Sequence, residues 1–241
     1  VVSLGSGVTE TVAALNRADR LIAVDSTSSY PPEAVEGLSR TGYVRALAAE
    51  GVLGLGPDLV LASVDVGPPE VIEQIESAGV PVVIVPEDDS IDGTIARIDF
   101  VARVLDAHAE AAVLRTELEQ ERGELGDFLA GIDTPASVLF IYARGAGSVM
   151  VSGHSTSADA MIQLAGAQNA LDAFPGYRPI TAEAVISADP DVLLFMTSGL
   201  ASLGGVAGLE DIPGIAQTRA YREGRILDYR SEERRVGKEC P

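Results

Sequence analysis

The sequence has no tryptophan, one cysteine, two histidines and a single lysine. One cysteine excludes an internal disulfide scaffold and a four-cysteine zinc module, and two histidines exclude a site of three imidazoles. Any metal chemistry must therefore draw on other ligands, and a zinc or manganese importer component is disfavoured. Positive charge is also scarce: 17 Lys plus Arg stand against 36 Asp plus Glu, a formal net charge of −19. Such a surface repels phosphate backbones and anionic headgroups within the Debye length, so no nucleic-acid partner is expected. No run of about 18 apolar residues occurs, so no membrane-spanning helix is predicted. What remains is an ordinary globular composition, 46% hydrophobic over 241 residues. It suits one large domain or two small lobes and excludes both intrinsic disorder and a coiled-coil rod.

The two ends differ in character from the middle. The chain opens on Val1-Val2-Ser3-Leu4, which reads as a first buried strand, so a start and a targeting leader are expected upstream of it. At the other end, Ser231 to Pro241 carries the only Lys and the only Cys. That tail resembles a vector-like run and is read as non-native, with the native C-terminal part lost.

Between the ends, short apolar runs alternate with helical stretches. Strands are predicted at Val1–Leu4, Leu21–Val24, Leu59–Ala62 and Val82–Val85, with helices at Thr9–Leu15, Ala48–Leu55 and Glu70–Ala78. This is the βα alternation of a mostly parallel sheet covered on both faces. From Val138 the pattern resumes, with strands at Val138–Tyr142 and Val192–Met196 and helices at Ala158–Leu164 and Ala182–Ser187. The segment from Ser90 to Ala130 keeps apolar residues at three- and four-residue steps without a proline, which predicts one long linking helix with a possible break near Gly123 or Gly126. The expected organisation is an N-terminal α/β lobe over 1–89, a linking helix over 90–131, a C-terminal α/β lobe over 132–230 and the tail 231–241.

A repeat joins the two halves. Ala49-Glu50-x-Val52-Leu53 leads to Pro57-Asp58-Leu59-Val60-Leu61, and Ala182-Glu183-x-Val185-Ile186 leads to Pro190-Asp191-Val192-Leu193-Leu194. Upstream, Gly42-Tyr43-Val44-Arg45 and Gly176-Tyr177-Arg178 place a Gly-Tyr turn with an arginine before each helix. In α/β sheets such turns lie at strand ends, where crevices form, so the two turns are expected to line one cleft. Gly5-x-Gly7 is a weak dinucleotide signal, because the third glycine is absent and Glu10 would repel a pyrophosphate. Ser3, Ser6 and Thr9 have no paired His-Asp set, so no catalytic group is assigned.

Three segments carry a resemblance. Ser3-Leu4-Gly5-Ser6-Gly7-Val8-Thr9-Glu10, then Val24-Asp25-Ser26-Thr27-Ser28 with Tyr30-Pro31, then Gly42-Tyr43-Val44-Arg45-Ala46-Leu47-Ala48-Ala49-Glu50-Gly51-Val52-Leu53 closely resemble haem-binding substrate-binding proteins of bacterial ABC importers. The likeness extends to Tyr229. The Pro-Asp-Leu-Val segments are shared with the wider group that carries cobalamin and ferric siderophores, whereas Gly-Tyr-x-Arg followed by Leu-x-Ala-Glu-Gly is the narrower haem-type feature. The resemblance implies two Rossmann-like lobes joined by a long helix, a shape that composition and periodicity also reach, with haem b held between the lobes as transported cargo. It implies no catalytic cofactor and no enzymatic reaction, a periplasmic or extracytoplasmic monomer with or without a lipid anchor, an ABC permease partner and an outer-membrane haem delivery system upstream.

Ferric haem is an apolar disc with a hard Lewis-acidic centre and two carboxylates on one edge. Axial tyrosinate is one of the few ways to hold its iron without His or Cys. By position in the family motif, Tyr43 is the iron ligand, and Arg45 serves a propionate or favours the tyrosinate. From the residues alone, Tyr43 packs in a turn and Arg45 is a solvated charge. In the second lobe Arg144, Tyr177 and Arg178 are expected as propionate or cleft contacts, ahead of Tyr142 and His154. His154 reads equally as a loop residue, with Ser155 to Ser157 capping the next helix. Tyr30, held extended before Pro31-Pro32, is a lesser cleft candidate, and His108 is a surface residue of the linking helix. Glu50 and Glu183 are either helix-dipole partners or, as the resemblance implies, contacts for permease arginines. The rival readings are a cobalamin or ferric-siderophore binder of the same fold and a nucleotide-using α/β enzyme.

Overall fold

The computed structural model describes residues 1–230; the proposed tail, with Cys240, lies outside them. The chain divides between Glu124 and Leu125 into two units. In the first unit the strands are β1 (Val2–Leu4), β2 (Ala23–Val24), β3 (Ser39–Arg40), β4 (Val60–Ala62) and β5 (Val82–Ile84). They form one sheet in the order β3-β2-β1-β4-β5, every neighbour parallel. Helices α1 (Ser6–Ala14), α2 (Pro32–Val35), α3 (Ala49–Leu53) and α4 (Pro69–Ser77) lie on the connections. The period of two along the strands separates two hydrophobic layers. Val2, Leu4, Ala23, Val60 and Ala62 pack on one side with Val52 of α3 and Ile75 of α4. Val24 and Leu61 pack on the other with Val8 and Val12 of α1. The unexpected strand β3 is two exposed polar residues on the sheet edge, where no apolar run marks it.

The linking segment departs from expectation. It forms two helices, α5 (Ile91–Leu105) and α6 (His108–Leu129), with the break at Asp106 and no interruption at Gly123 or Gly126. Asp106 adopts left-handed φ 53°, and its carbonyl accepts from Arg17, which also pairs with Glu110 at 2.7 Å. The helices then run back along each other. Asp99 pairs with Arg115 and Asp92 with Arg122, two bridges spaced evenly about the break as an antiparallel hairpin requires. Helix periodicity alone cannot report a reversal of this kind, because both arms keep the same apolar spacing. Ile98, Val101, Ala102 and Leu105 of α5 fill the layer that also holds α1. Helix α6, 22 residues long and hence about 33 Å, carries the chain from the first unit into the second. Among the described residues no helix is long and apolar enough to cross a membrane.

The second unit contains β6 (Ser137–Ala143), β7 (Val149–Ser152), β8 (Gln168–Asn169), β9 (Tyr177–Pro179), β10 (Val192–Met196) and β11 (Ile226–Tyr229). Its order is β11-β10-β6-β7-β9, with β8 also paired to β6. Strand β10 is parallel to β11 and to β6, and β8 is parallel to β6, but β7 pairs antiparallel with β6 and with β9, so this sheet is mixed. The short 144–148 connection, closed by Arg144 N–H to the Ser148 carbonyl at 3.0 Å, permits a hairpin and is too short for a crossover. Helices α7 (Ser157–Leu164), α8 (Ala182–Ala188), α9 (Thr197–Ser202) and α10 (Arg219–Arg222) complete the unit. Leu139, Ile141, Leu193 and Phe195 face one layer, and Val138, Phe140, Val192 and Leu194 face the other.

Asp191, at the start of β10, ties three elements together. It accepts from the Ser137 N–H of β6 at 2.9 Å and pairs with Arg219 of α10 and with Arg225 at 3.8 Å. These contacts, the Ser137 N–H foremost, hold its carboxyl below the ordinary value of 3.8, against the opposing effect of burial. A depressed folded pKa means that the contribution is complete above the ordinary value and disappears as pH falls through the folded one. Asp191→Asn is therefore expected to lower stability by about 1 kcal/mol at neutral pH. In urea unfolding, that difference from the parent should vanish as pH is taken well below 3.8.

Candidate functional site

In the first sheet the connections leave β1 toward β2 on one side and return to β4 on the other. The switch point thus lies at the carboxyl ends of β1 and β4, the position where open α/β sheets bind ligands. A concave site of about 230 Å³ lies there. It is lined by Gly5, Ser6 and Gly7 after β1, Thr27 after β2, Tyr43 and Arg45 after β3, Ser63 and Asp65 after β4, Pro86 and Glu87 after β5, and Arg97 of α5.

Gly5 permits the two central loops to meet. Its φ is 113°, and a Cβ at this position would lie 2.8 Å from the Cβ and Oγ of Ser63. Its N–H donates to Asp25 Oδ1 at 2.9 Å. Asp25 is wholly buried at the end of β2 and also accepts from the Ser28 hydroxyl at 2.6 Å and from the Thr27 N–H and hydroxyl. Because Ser28 donates to Asp25, Thr9 donates to Ser28 and Ser3 to Thr9, each at 2.8 Å, a buried chain of three hydroxyls that ends on one carboxylate. Burying that charge is tolerable only because each of its oxygens accepts two hydrogen bonds.

The Gly-Tyr turn is positioned with equal care. Gly42 has φ 96°, and its carbonyl accepts from Ser26 N–H at 2.7 Å. Val44 is buried and exchanges backbone contact with the β4 loop, its carbonyl accepting from Gly67 N–H at 3.0 Å. Its neighbours on either side consequently point outward: Tyr43 is 48% exposed at the concave site. Arg45 forms an ion pair with Asp65. Its guanidinium is held above the ordinary arginine range first by the hydrogen bond to Asp65, next by the charge of Asp65 and then by the nearby Tyr43. Tyr30 is half-buried and does not line this site.

In the second unit the structure groups some candidates and separates others. Tyr142 at the end of β6 and Tyr177 in β9 have ring centroids 6.0 Å apart, and Tyr177 also meets Phe140 edge-on at 6.4 Å. The Arg144 guanidinium carbon lies 5.6 Å from the centre of the Tyr142 ring, within cation–π range. Tyr177 and Arg178 are successive residues of a strand and so take opposite faces. Arg178 stacks on Phe174 at 4.5 Å, away from the tyrosine cluster. His154 is exposed on the loop after β7 with Nδ1 2.9 Å from the Ser155 hydroxyl, and Thr156 within the expected stretch caps α7 by accepting from Asp159 N–H at 3.0 Å. His108 is exposed at the start of α6.

Sequence patterns did not single out Asp65, Ser63 or the Asp25 network. Asp65 lies three residues past the end of β4, and the rule that crevices form at the carboxyl ends of parallel strands was the available signal. Asp25 stands within a motif, but its burial against Gly5 and Ser3, 20 and 22 positions earlier, is a contact that no local pattern carries.

A model of the periplasmic binding protein family matches residues 1–233. The chain belongs to that family. This periplasmic binding protein is similar in structure to the periplasmic heme-binding protein RhuT from Roseiflexus sp. RS-1 in its apo form, with 41% identity and a TM-score of 0.89 over 95% of this chain and 88% of that one. It is also similar to the periplasmic heme-binding protein BhuT in complex with two hemes, at 38% identity and TM-score 0.89 over 95% and 88% of the two chains. Among curated proteins, a vitamin B12-binding protein of Pectobacterium carotovorum subsp. carotovorum (strain PC1) is 28% identical over 80% of this chain and 70% of its own length. The two-lobe α/β fold expected from the sequence is the fold of these neighbours.

The internal repeat of this binding protein is a structural equivalence. Glu50 and Glu183 are both exposed in the first turns of α3 and α8, and two residues on, each helix is anchored by a wholly buried valine, Val52 or Val185. Thr181 caps α8 by accepting from Ala184 N–H at 3.3 Å, whereas Ala48 offers α3 no side-chain cap.

Removing the Asp25 carboxylate would leave Gly5 N–H and the hydroxyl chain without their acceptor. Asp25→Ala is expected to cost about 3 kcal/mol in urea unfolding. Asp25→Asn keeps the shape but turns an amide donor toward existing donors, so it should recover only part of that loss.

Proposed function

We propose that this chain is the substrate-binding component of an ABC importer, that it binds haem outside the cytoplasmic membrane, and that the Tyr43 phenolate is the iron ligand. The observation that carries the reading is the presentation of Tyr43. Its ring is half exposed at the switch-point site, on a turn fixed by Gly42 and Val44, with the Arg45 cation two residues on. A hard oxygen donor beside a positive charge suits ferric iron. The high structural similarity to proteins named as heme-binding supports the same cargo. In this reading Arg45 serves a propionate, and Arg144 and Tyr177, grouped with Tyr142, are propionate or other haem contacts, whereas Arg178 is drawn to Phe174 on the opposite face of β9. The cargo is bound and released unchanged, so the site needs no general acid or base. Haem b is the form assigned.

A cobalamin cargo is the second reading, favoured by the vitamin B12-binding relative. Hemin titration separates the two. The parent should develop a Soret band, and Tyr43→Phe should lose it or bind at least about a hundredfold more weakly, since even outer-shell partners of a metal site are worth tenfold to a hundredfold. Tyr221→Phe, which alters a phenol bonded to Glu210 at 3.0 Å far from the site residues in sequence, should bind as the parent does. Cyanocobalamin binding that survives in Tyr43→Phe, with no Soret band in the parent, would favour the second reading.

Glu50 and Glu183 form the permease contacts in this proposal. What supports this reading is that both are exposed acids in the first turns of helices that occupy corresponding places in the two units. Changing either to alanine should lower hemin uptake by proteoliposomes holding the cognate permease about tenfold. Hemin titration of the same variants should match the parent; a loss of hemin binding would place these residues in the ligand site instead.

A further inference from the structure

Asp65 stands on the loop after β4, in the lining of the same concavity as Tyr43, and its carboxylate is taken up by Arg45. The Arg45 and Asp65 side chains are 57% and 51% exposed. A pair so exposed adds at most about 1 kcal/mol to folding. Nor does Arg45 need the acid for its placement, because the turn is already fixed by the burial of Val44 and its backbone bond to Gly67. An acid in the site of a ligand that carries carboxylates has another effect. A guanidinium fork holds one carboxylate bidentately, so two carboxylates facing one arginine compete for it.

Resting on the haem reading above, we propose that Asp65 is a built-in competitor for Arg45: a haem propionate displaces it on binding, and it recaptures the guanidinium on release. In the unliganded protein the cation is neutralised by Asp65. In the complex it is neutralised by the propionate, and the displaced carboxylate, already half in water, is resolvated at little cost. The exchange lowers the affinity for carboxylate-bearing ligands and shortens their residence, since affinity differences at one site are expressed chiefly in the dissociation rate. A carrier that must surrender its cargo to a membrane partner benefits from such a return path. The arrangement acts only on ligands with a free carboxylate.

The test uses the whole chain, the variants Asp65→Asn, Arg45→Gln and their double, and two probes, hemin and hemin dimethyl ester. Affinity is read from Soret titration and release from transfer to excess apomyoglobin, with melting curves confirming that each variant is folded. Asp65→Asn is expected to bind hemin about fivefold more tightly through slower release. Its affinity for the ester should be unchanged, and in the Arg45→Gln background the gain should shrink below about twofold. Unchanged or weaker hemin binding by Asp65→Asn, or an equal gain for the ester, overturns the exchange. A parent protein that develops no Soret band overturns the haem reading itself, whereas normal hemin binding with a neutral Asp65→Asn overturns the exchange alone.

Discussion

At the carboxyl end of β1 the backbone must pass within contact distance of Ser63 while its N–H is claimed by a buried carboxylate, and the rest of the site is arranged around that constraint. Only glycine satisfies both conditions at position 5, where φ is 113° and a Cβ would sit 2.8 Å from Ser63. The Asp25 carboxylate in turn fixes the loop after β2 through Thr27 and Ser28, and Arg40 donates to the carbonyls of Asp25 and Ser28 from the neighbouring strand. Arg40 ends β3, and the Gly42-Tyr43 turn starts two residues further on. The position of the phenol is thus linked, through backbone carbonyls and one carboxylate, to the packing of the central strand. A rigid support of this kind is what the axial role proposed for Tyr43 needs, because metal sites lose affinity quickly when their outer contacts loosen.

The two units show one module used in two ways. Val52 and Val185 anchor equivalent helices, and Pro57 and Pro190 are both buried before equivalent strands. The glycines of the two Gly-Tyr pairs have φ of 96° and 73°, and each carbonyl accepts a hydrogen bond from the loop after a neighbouring strand. Beyond that point the copies diverge. Tyr43 follows a parallel edge strand and projects from a turn, whereas Tyr177 is enrolled in β9, antiparallel to β7, and packs on Tyr142 and Phe140. The hairpin of β6 and β7 is the cause: it brings an antiparallel edge to the place where the first unit has a parallel one. The aromatic side chain is packed against other rings in the second unit, whereas in the first it stands on a turn at the concave site, the position from which it is proposed to serve as a donor.

The distinction between what local patterns reveal and what they hide follows from these particulars. Strands β1, β4 and β6 were legible because each is an apolar run largely buried on both faces of its sheet, and β5 and β10 because they keep the apolar run although they are less completely covered. Strand β3 was not, since Ser39 and Arg40 are exposed on an edge and carry no hydrophobic signal. The hairpin of α5 and α6 was hidden because a reversal at Asp106 leaves the three- and four-residue spacing of either arm intact; the charge pairs Asp99–Arg115 and Asp92–Arg122 encode it, but only once the turn is known. Tyr43 and Arg45 were found through a motif, and the geometry supplies the physical reason for it: a buried Val44 between two outward-facing residues. Asp65 was missed because an isolated acid after a strand resembles any solvated loop residue until its partner is seen.

An excess of nineteen negative charges sets a further requirement on a protein proposed to capture an anionic porphyrin. Ferric haem with both propionates ionised carries net negative charge, so the summed field of the protein slows its approach. That field is screened beyond about 8 Å at physiological ionic strength. Most of the acidic surface is therefore invisible to a ligand already at the site, and the balance is set by the few charges lining it. At the first unit's concavity those are Arg45 and Arg97 against Asp65 and Glu87, a formally neutral set in a strongly acidic molecule. Apolar burial of the macrocycle and iron coordination must then supply most of the affinity, with the charged groups fixing the orientation of the propionate edge. Under the exchange proposed for Arg45, a site balanced in this way lets go of its cargo when the charges around it are rearranged, which is the behaviour required of a carrier.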